Sequence, residues 1–179
     1  MEHPELIKAC KRNDYNAQMR VYELYKDMLY ATSLRILKNE FDAQDVVHDG
    51  FIKGFQNINK LGDHVNLGGW LKRIVINCSL DFLRNKKKVQ WLEDSEMLGD
   101  ISIVQEIPLD VEEISIENIK KAIDSLKDKY RIIVVLYLIE NYTHKEIAQQ
   151  LGLNESTVRN QYIRGKDQLK KQLEKKILS

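Results

Sequence analysis

Proline occurs only twice and glycine eight times in these 179 residues. So little turn-forming material argues against a strand-and-turn architecture and favours helices. Cysteine is equally scarce. Cys10 and Cys78 stand far apart, each among helix-like residues, and two such thiols supply neither a disulfide framework nor a CxxC metal signature. Cys78 falls on an apolar face and is expected to be a small core residue. His3, His48, His64 and His144 show no HExxH or similar spacing, so no metal site and no cofactor is expected. The longest apolar run, Ile132 to Ile139, falls far short of the roughly 20 residues a membrane span needs. The opening MEHPEL has neither a basic n-region nor an apolar h-region, so the chain is expected to be cytoplasmic, without a membrane partner.

What the chain does contain is charge, and its placement is informative. Met1 to Lys88 holds 15 Lys+Arg and 11 Asp+Glu, and Lys120 to Ser179 holds 13 and 7. Between them, Val89 to Ile119 holds 9 acids and no Lys or Arg, although the whole chain is balanced to +1. Two basic ends around an acidic middle suit a two-domain binder of nucleic acid with a solvated linker.

The strongest local signal runs from Thr143 to Lys171. Thr143 followed by Glu146 is a capping box, and Ile147, Ala148 and Leu151 form one apolar face at helical spacing. Gly152 is placed to end that helix in the left-handed conformation, and Leu153 to plug the angle between two helices. Asn154 then caps a second helix with Val158, Tyr162, Gly165 and Leu169 on its inner face. This order predicts a helix-turn-helix whose second helix enters a major groove. Its outward face offers Ser156, Arg159, Asn160 and Ile163, flanked by Arg164, Lys166 and Lys170. Polar groups near the helix start suit base edges, and the cations beyond them suit phosphates.

Upstream, the periodicity predicts short helix Glu5 to Arg12, a longer one from Tyr15 to Leu37, and a third capped by Asp42. Met19, Tyr22, Leu29, Ala31 and Leu34 are apolar positions of the long helix; Val47, Phe51, Phe55 and Ile58 form the stripe of the third. Asn59 to Gly69 reads as a Gly-bearing loop, and a fourth helix runs from about Trp70 towards Lys88. On a helical wheel Leu71, Val75, Cys78 and Phe82 face inward with Ile74 at the edge. Arg73, Asn77, Asp81, Arg84 and Lys88 lie opposite, with Leu80 among them. Such a row can follow a sugar-phosphate backbone while the amide and the carboxylate meet bases or orient arginines; it also fits a solvated face with an Asp81–Arg84 pair. The loop's Asn59, Asp63, His64 and Asn66, beside Trp70, would suit an unstacked base. Helices Ile116 to Leu126 and Asp128 to Glu140 complete the chain. The β-branched run at 132–139 is read as helix because no partner strand is visible. The expected architecture is all-α: residues 1–92 and 116–179 as two small helical domains, joined by an acidic linker at 93–115.

Together these pieces resemble the extracytoplasmic-function class of bacterial RNA polymerase sigma factors. DAQDVVHDGFIKGFQNI looks like the class's polymerase-binding helix. LGGWLKRIVINCSLDFLRNKKK looks like its promoter-melting, minus-ten-reading helix, with N-x-x-x-D-x-x-R at Asn77, Asp81 and Arg84. The stretch from Leu126 to Lys171 looks like its minus-thirty-five-reading domain. The resemblance implies core RNA polymerase and promoter DNA as partners, commonly with an anti-sigma factor, and no catalytic activity. It implies that Asp45, His48, Asp49 and Lys53 face polymerase. It places Asn77 and Asp81 near the extruded minus-ten base, the 59–69 loop around that base, and Ser156, Arg159 and Asn160 in the minus-thirty-five groove. Gly50 and Gly54 inside the polymerase-binding helix depart from good helix-forming composition, at about 1 kcal/mol each relative to Ala. Gly165 replaces a more usual Ala.

Three other classes fit less well, and the basic faces argue against one of them, an adaptor in which both helical domains bind protein. A duplex-binding regulator needs a receiver or ligand domain, and Met1 to Lys88 shows neither strands nor a pocket pattern. A nucleic-acid enzyme needs clustered carboxylates or a nucleophile–base pair, and the charges here are not grouped that way.

Overall fold

A computed structural model describes residues 3–62, 65–86 and 115–177. They form two units, one within Met1–Lys86 and one within Lys87–Ser179. Helices make up the secondary structure of the described residues in both.

The first unit holds α1 (His3–Lys11), α2 (Tyr15–Leu37), α3 (Glu40–Asn57) and α4 (Leu67–Asn85). Polar side chains set the helix starts. Asp14 accepts from the Ala17 N–H at 2.9 Å ahead of α2, and Asn66 accepts from the Gly69 N–H at 3.0 Å ahead of α4. The cap of α3 is Asn39, not Asp42 as the sequence suggested: Asn39 Oδ1 accepts from the Asp42 N–H at 2.9 Å. Asp42 instead meets Nζ of Lys86, the residue that follows α4, at 3.2 Å. Asn66 belongs to a helix start that comes three residues before the expected Trp70, and Ile58–Lys60 forms a 3-10 turn, so the 59–69 loop is shorter than it read.

Helices α2, α3 and α4 pack against one another around Val21, Leu29, Ile36, Val47, Phe51, Leu71 and Val75, all buried. Of the stripe expected on the third helix Val47, Phe51 and Ile58 are buried and Phe55 half-buried; of the expected inner α4 residues Leu71, Val75 and Cys78 are buried and Phe82 half-buried. The buried arc of α4 is wider than the wheel indicated. Leu80, placed outward in the sequence reading, is 1% exposed, and Ile76 and Leu83 are buried beside it. Burial against two helices instead of one accounts for the wider arc. Conversely Met19 and Ala31 of α2 face solvent. The two α3 glycines have a steric reason. A Cβ on Gly50 would lie 2.5 Å from Val75 Cγ2, and one on Gly54 would lie 2.7 Å from Leu71 Cδ2. They let α3 and α4 approach more closely than any larger residue permits.

The second unit holds α5 (Ile116–Asp124), α6 (Asp128–Val134), a π-helical turn (Val135–Ile139), α7 (His144–Leu151) and α8 (Glu155–Ile177). The run at 132–139 is helical, as read, but its second half is wound as a π turn: the Glu140 N–H reaches Val135 O at 3.1 Å. Ile132 to Leu136 are all fully buried, so no amphipathic period marks them. Ala122, Ile123, Leu126, Tyr130, Val134, Val135, Leu169 and Leu173 form this unit's own core. At Gly165 a Cβ would stand 2.9 Å from Val134 Cγ2 and 3.2 Å from Tyr130 Cβ, so glycine seats α8 directly on α6.

Candidate functional site

The helix-turn-helix is assembled as its local chemistry dictates. Thr143 Oγ1 accepts from the Glu146 N–H at 3.2 Å while Glu146 Oε2 accepts from the Thr143 N–H at 2.9 Å, closing the capping box. Gly152 adopts φ 66°, and the Leu153 N–H returns to Ala148 O at 2.9 Å. Ile147, Ala148, Leu151 and Val158 are buried between α7 and α8. The α8 N-terminus therefore projects Ser156 and Arg159 into solvent, with Asn160, Ile163 and Arg164 half-buried along its side and Lys166 exposed further on. Lys170 sits a turn beyond, half-buried and 3.8 Å from Glu174.

Glu155, His144 and Tyr137, beside this face, carry no sequence pattern that marks them for a role here. Arg159 Nη2 donates to Glu155 Oε1 at 3.0 Å, an i, i+4 pair that spacing alone permits. His144 stacks on Tyr137 with ring centroids 4.4 Å apart and planes 11° from parallel, and meets Tyr162 at 5.2 Å. His144 Nε2 is buried without a hydrogen-bond partner, and burial together with the Arg159 charge holds the imidazole below its ordinary pKa of 6.5.

In the first unit, Arg73, Asp81 and Arg84 are exposed on one side of α4, and Asp81 pairs with Arg84. Asn77 lies between them, but its Oδ1 is buried and lacks a hydrogen-bond partner. Trp70 is half-buried and Asn59 exposed. Asn66, expected beside an unstacked base, has its side-chain oxygen engaged as the α4 cap. Asp63, His64 and Lys88 lie outside the described residues, as does the 93–114 part of the expected linker.

On α3, Asp45, His48, Asp49 and Lys53 are all exposed. Two of them also touch neighbouring helices. The His48 ring approaches the Tyr22 hydroxyl at 3.4 Å, and Lys53 Nζ donates to Cys78 Sγ at 3.5 Å. Burial raises the Cys78 thiol pKa, against an opposing pull from Lys53.

Comparison with known proteins bears on both units. Residues 21–89 match the family model for Sigma-70 region 2, and residues 116–169 match that for Sigma-70 region 4. Across the chain, the ECF RNA polymerase sigma factor SigW of Bacillus subtilis (strain 168) is 32% identical over 177 residues, which covers 93% of this chain and 94% of that protein. The chain belongs to the ECF class of RNA polymerase sigma factors. The RNA polymerase sigma factor SigV of the same bacterium is 26% identical over 155 residues, covering 87% and 90%. Among solved structures, the sigma factor RpoE in complex with the anti-sigma factor NepR from Bartonella quintana superposes with a TM-score of 0.54 at 19% identity, over 87% of this chain and 96% of that one. CnrH in complex with the cytosolic domain of CnrY gives 0.54 at 18%, over 96% and 97%. At such identities these two likenesses concern the fold.

Within this sigma factor, region 2 takes in α3 and α4 with every candidate from Asp45 to Lys88, and region 4 takes in the helix-turn-helix as far as Leu169. Lys170 falls one residue beyond. None of the helices among the described residues is long and apolar enough to cross a membrane.

Proposed function

We propose that this sigma factor binds core RNA polymerase through the exposed face of α3 and directs it to a subset of promoters, with α4 reading and opening the minus-ten element and α8 reading the minus-thirty-five element. The observation that carries this reading is the match to region 2 and region 4, in that order, on one chain whose two ends, residues 1–88 and 120–179, each carry more Lys+Arg than Asp+Glu. The chain supplies binding energy and no catalytic step of its own. It works in the cytoplasm, where polymerase is, under the control of an anti-sigma protein that covers one or both faces.

Physics favours the division between units. One helix-turn-helix offers few base contacts, and two weak sites joined by a linker gain through effective concentration. Extruding a base costs a few kcal/mol, which a unit of this size offsets only when polymerase holds both in place.

Run-off transcription with purified core polymerase on genomic fragments tests the whole reading: promoter-specific transcripts are expected, dependent on this chain. For the polymerase face, Asp49→Lys is the cleaner variant, because Lys53 also ties α3 to Cys78 of α4. Asp49 is exposed, so its charge reversal is expected to leave folding intact while reducing co-purification with core. Undiminished co-purification would move the polymerase contact off this face.

A further inference from the structure

The arginine at the head of α8 is not a free side chain. Arg159 Nη2 is held by Glu155 Oε1 at 3.0 Å, one turn back towards the helix start. Glu155 opens α8, so on the proposed docking its carboxylate is carried to the DNA with the base-reading residues. That placement is electrostatically adverse. A carboxylate brought against a polyanion lowers affinity for every sequence alike. An acid in the first turn does favour the helix macrodipole, but this benefit is the same on any DNA.

The chemistry of the pair suggests what Glu155 offers in return. A guanidinium presents five N–H donors in a planar fork, so one bond to a carboxylate leaves others free for guanine O6 and N7. A side chain already held loses less rotational freedom when it meets a base edge. Its neighbour also resists the arginine's swinging aside to a phosphate, because that would leave Glu155 unpaired next to the backbone. His144 at the start of α7 is close enough to feel both charges, so this corner of the helix-turn-helix is electrostatically coupled.

We propose that Glu155 is a specificity-determining positioning residue: by holding Arg159 towards the bases and repelling phosphates, it sharpens discrimination at one base pair of the upstream element while lowering affinity for DNA in general. This rests on the reading of Arg159 as a base contact.

The test uses the full-length protein reconstituted with core polymerase and a duplex library randomised across the upstream element. Base preference and affinity for an unrelated duplex are measured for the parent, Arg159→Ala, Glu155→Ala and Glu155→Gln. Arg159→Ala is expected to relax preference at one base pair by about tenfold. Glu155→Ala should relax the same base pair by about threefold or more and tighten unrelated-duplex binding by about twofold. Glu155→Gln keeps an acceptor for the guanidinium, so it should retain most of the parent's preference while still tightening general binding; a role confined to helix stability would move neither quantity in this pattern. The inference is overturned if Glu155→Ala keeps the parent's base preference while Arg159→Ala loses it. It is equally overturned if Glu155→Ala alters a different base pair, since Glu155 would then be a reader itself. A uniform loss from Arg159→Ala marks the separate failure of Arg159 as a base contact and takes the inference with it.

Discussion

Asn77 shows how a single residue separates a role in folding from a role in function. Its amide oxygen is buried with no hydrogen-bond partner, a condition that costs about 1–3 kcal/mol of desolvation. Truncation to Ala removes that oxygen, so Asn77→Ala is expected to leave the thermal midpoint of the first unit unchanged or slightly raised. If the amide contributes to holding an unpaired minus-ten base, the same variant opens promoters poorly. Permanganate reactivity of promoter thymines, compared at equal occupancy of the upstream element, measures the opening. Parental reactivity in a stable variant would return Asn77 to an ordinary helix position. The placement of Asn77 opposite Val75 and Cys78 was legible in the sequence, because a wheel needs only the helical period. The burial of its oxygen was not, because that depends on what packs from other helices. The same dependence misplaced Leu80, which a one-sided wheel turns outward and a second neighbouring helix covers.

Between elements, the glycines of α3 turn an apparent weakness into a geometric requirement. Sequence composition registers Gly50 and Gly54 only as poor helix formers; their contacts explain their presence. The two are not equivalent. A Cβ on Gly54 meets the far end of a flexible Leu71 side chain, whereas one on Gly50 strikes a Cγ of β-branched Val75, which has little rotamer freedom. Gly50→Ala is therefore expected to lower stability by about 1–2 kcal/mol, overpacking exceeding the propensity gain, while Gly54→Ala stays close to neutral; chemical denaturation of each variant distinguishes them. In the second unit, capping box, Gly152 turn and inner face of the helix-turn-helix were all readable, since each is a short-range rule obeyed locally. The aromatic group of Tyr137, His144 and Tyr162 was not, because it joins the π turn, α7 and α8. It carries a pH signature. Burial first, and Arg159 second, lower the His144 pKa in the folded chain, with Glu155 opposing, while the Tyr137 and Tyr162 rings pack against the imidazole. The unfolded chain therefore binds the proton more readily. This contribution to stability is complete above 6.5 and is lost as pH falls from 6.5 towards the lower folded value. His144→Phe keeps a ring in the stack and removes the proton, so the fall in melting temperature between about pH 7 and pH 5 should be smaller than in the parent. Identical slopes would assign the pH dependence to other groups.

At the scale of the whole chain, promoter recognition depends on how much each unit can do by itself. The second unit has its own core, running from Ala122 through Tyr130 and Val135 to Leu169 and Leu173. Residues 116–179 carry 13 Lys+Arg against 8 Asp+Glu, so a fragment of them is cationic. A domain of this size sits near the lower limit for independent folding, and it is expected to unfold cooperatively but with modest stability. Its affinity for the upstream element should be weak and steeply dependent on salt, as few phosphate and base contacts are available. In the intact chain, a linker across 93–115 would convert that weak contact into an intramolecular one at an effective concentration on the order of millimolar. A protease site introduced within 93–115 isolates this contribution. Cleavage after assembly with core polymerase is expected to abolish upstream-element recognition at micromolar protein, and added fragment 116–179 should restore it only as its concentration approaches the millimolar range. Recognition that survives cleavage undiminished at micromolar protein would mean that polymerase itself holds the second unit tightly, leaving the linker a merely passive connection.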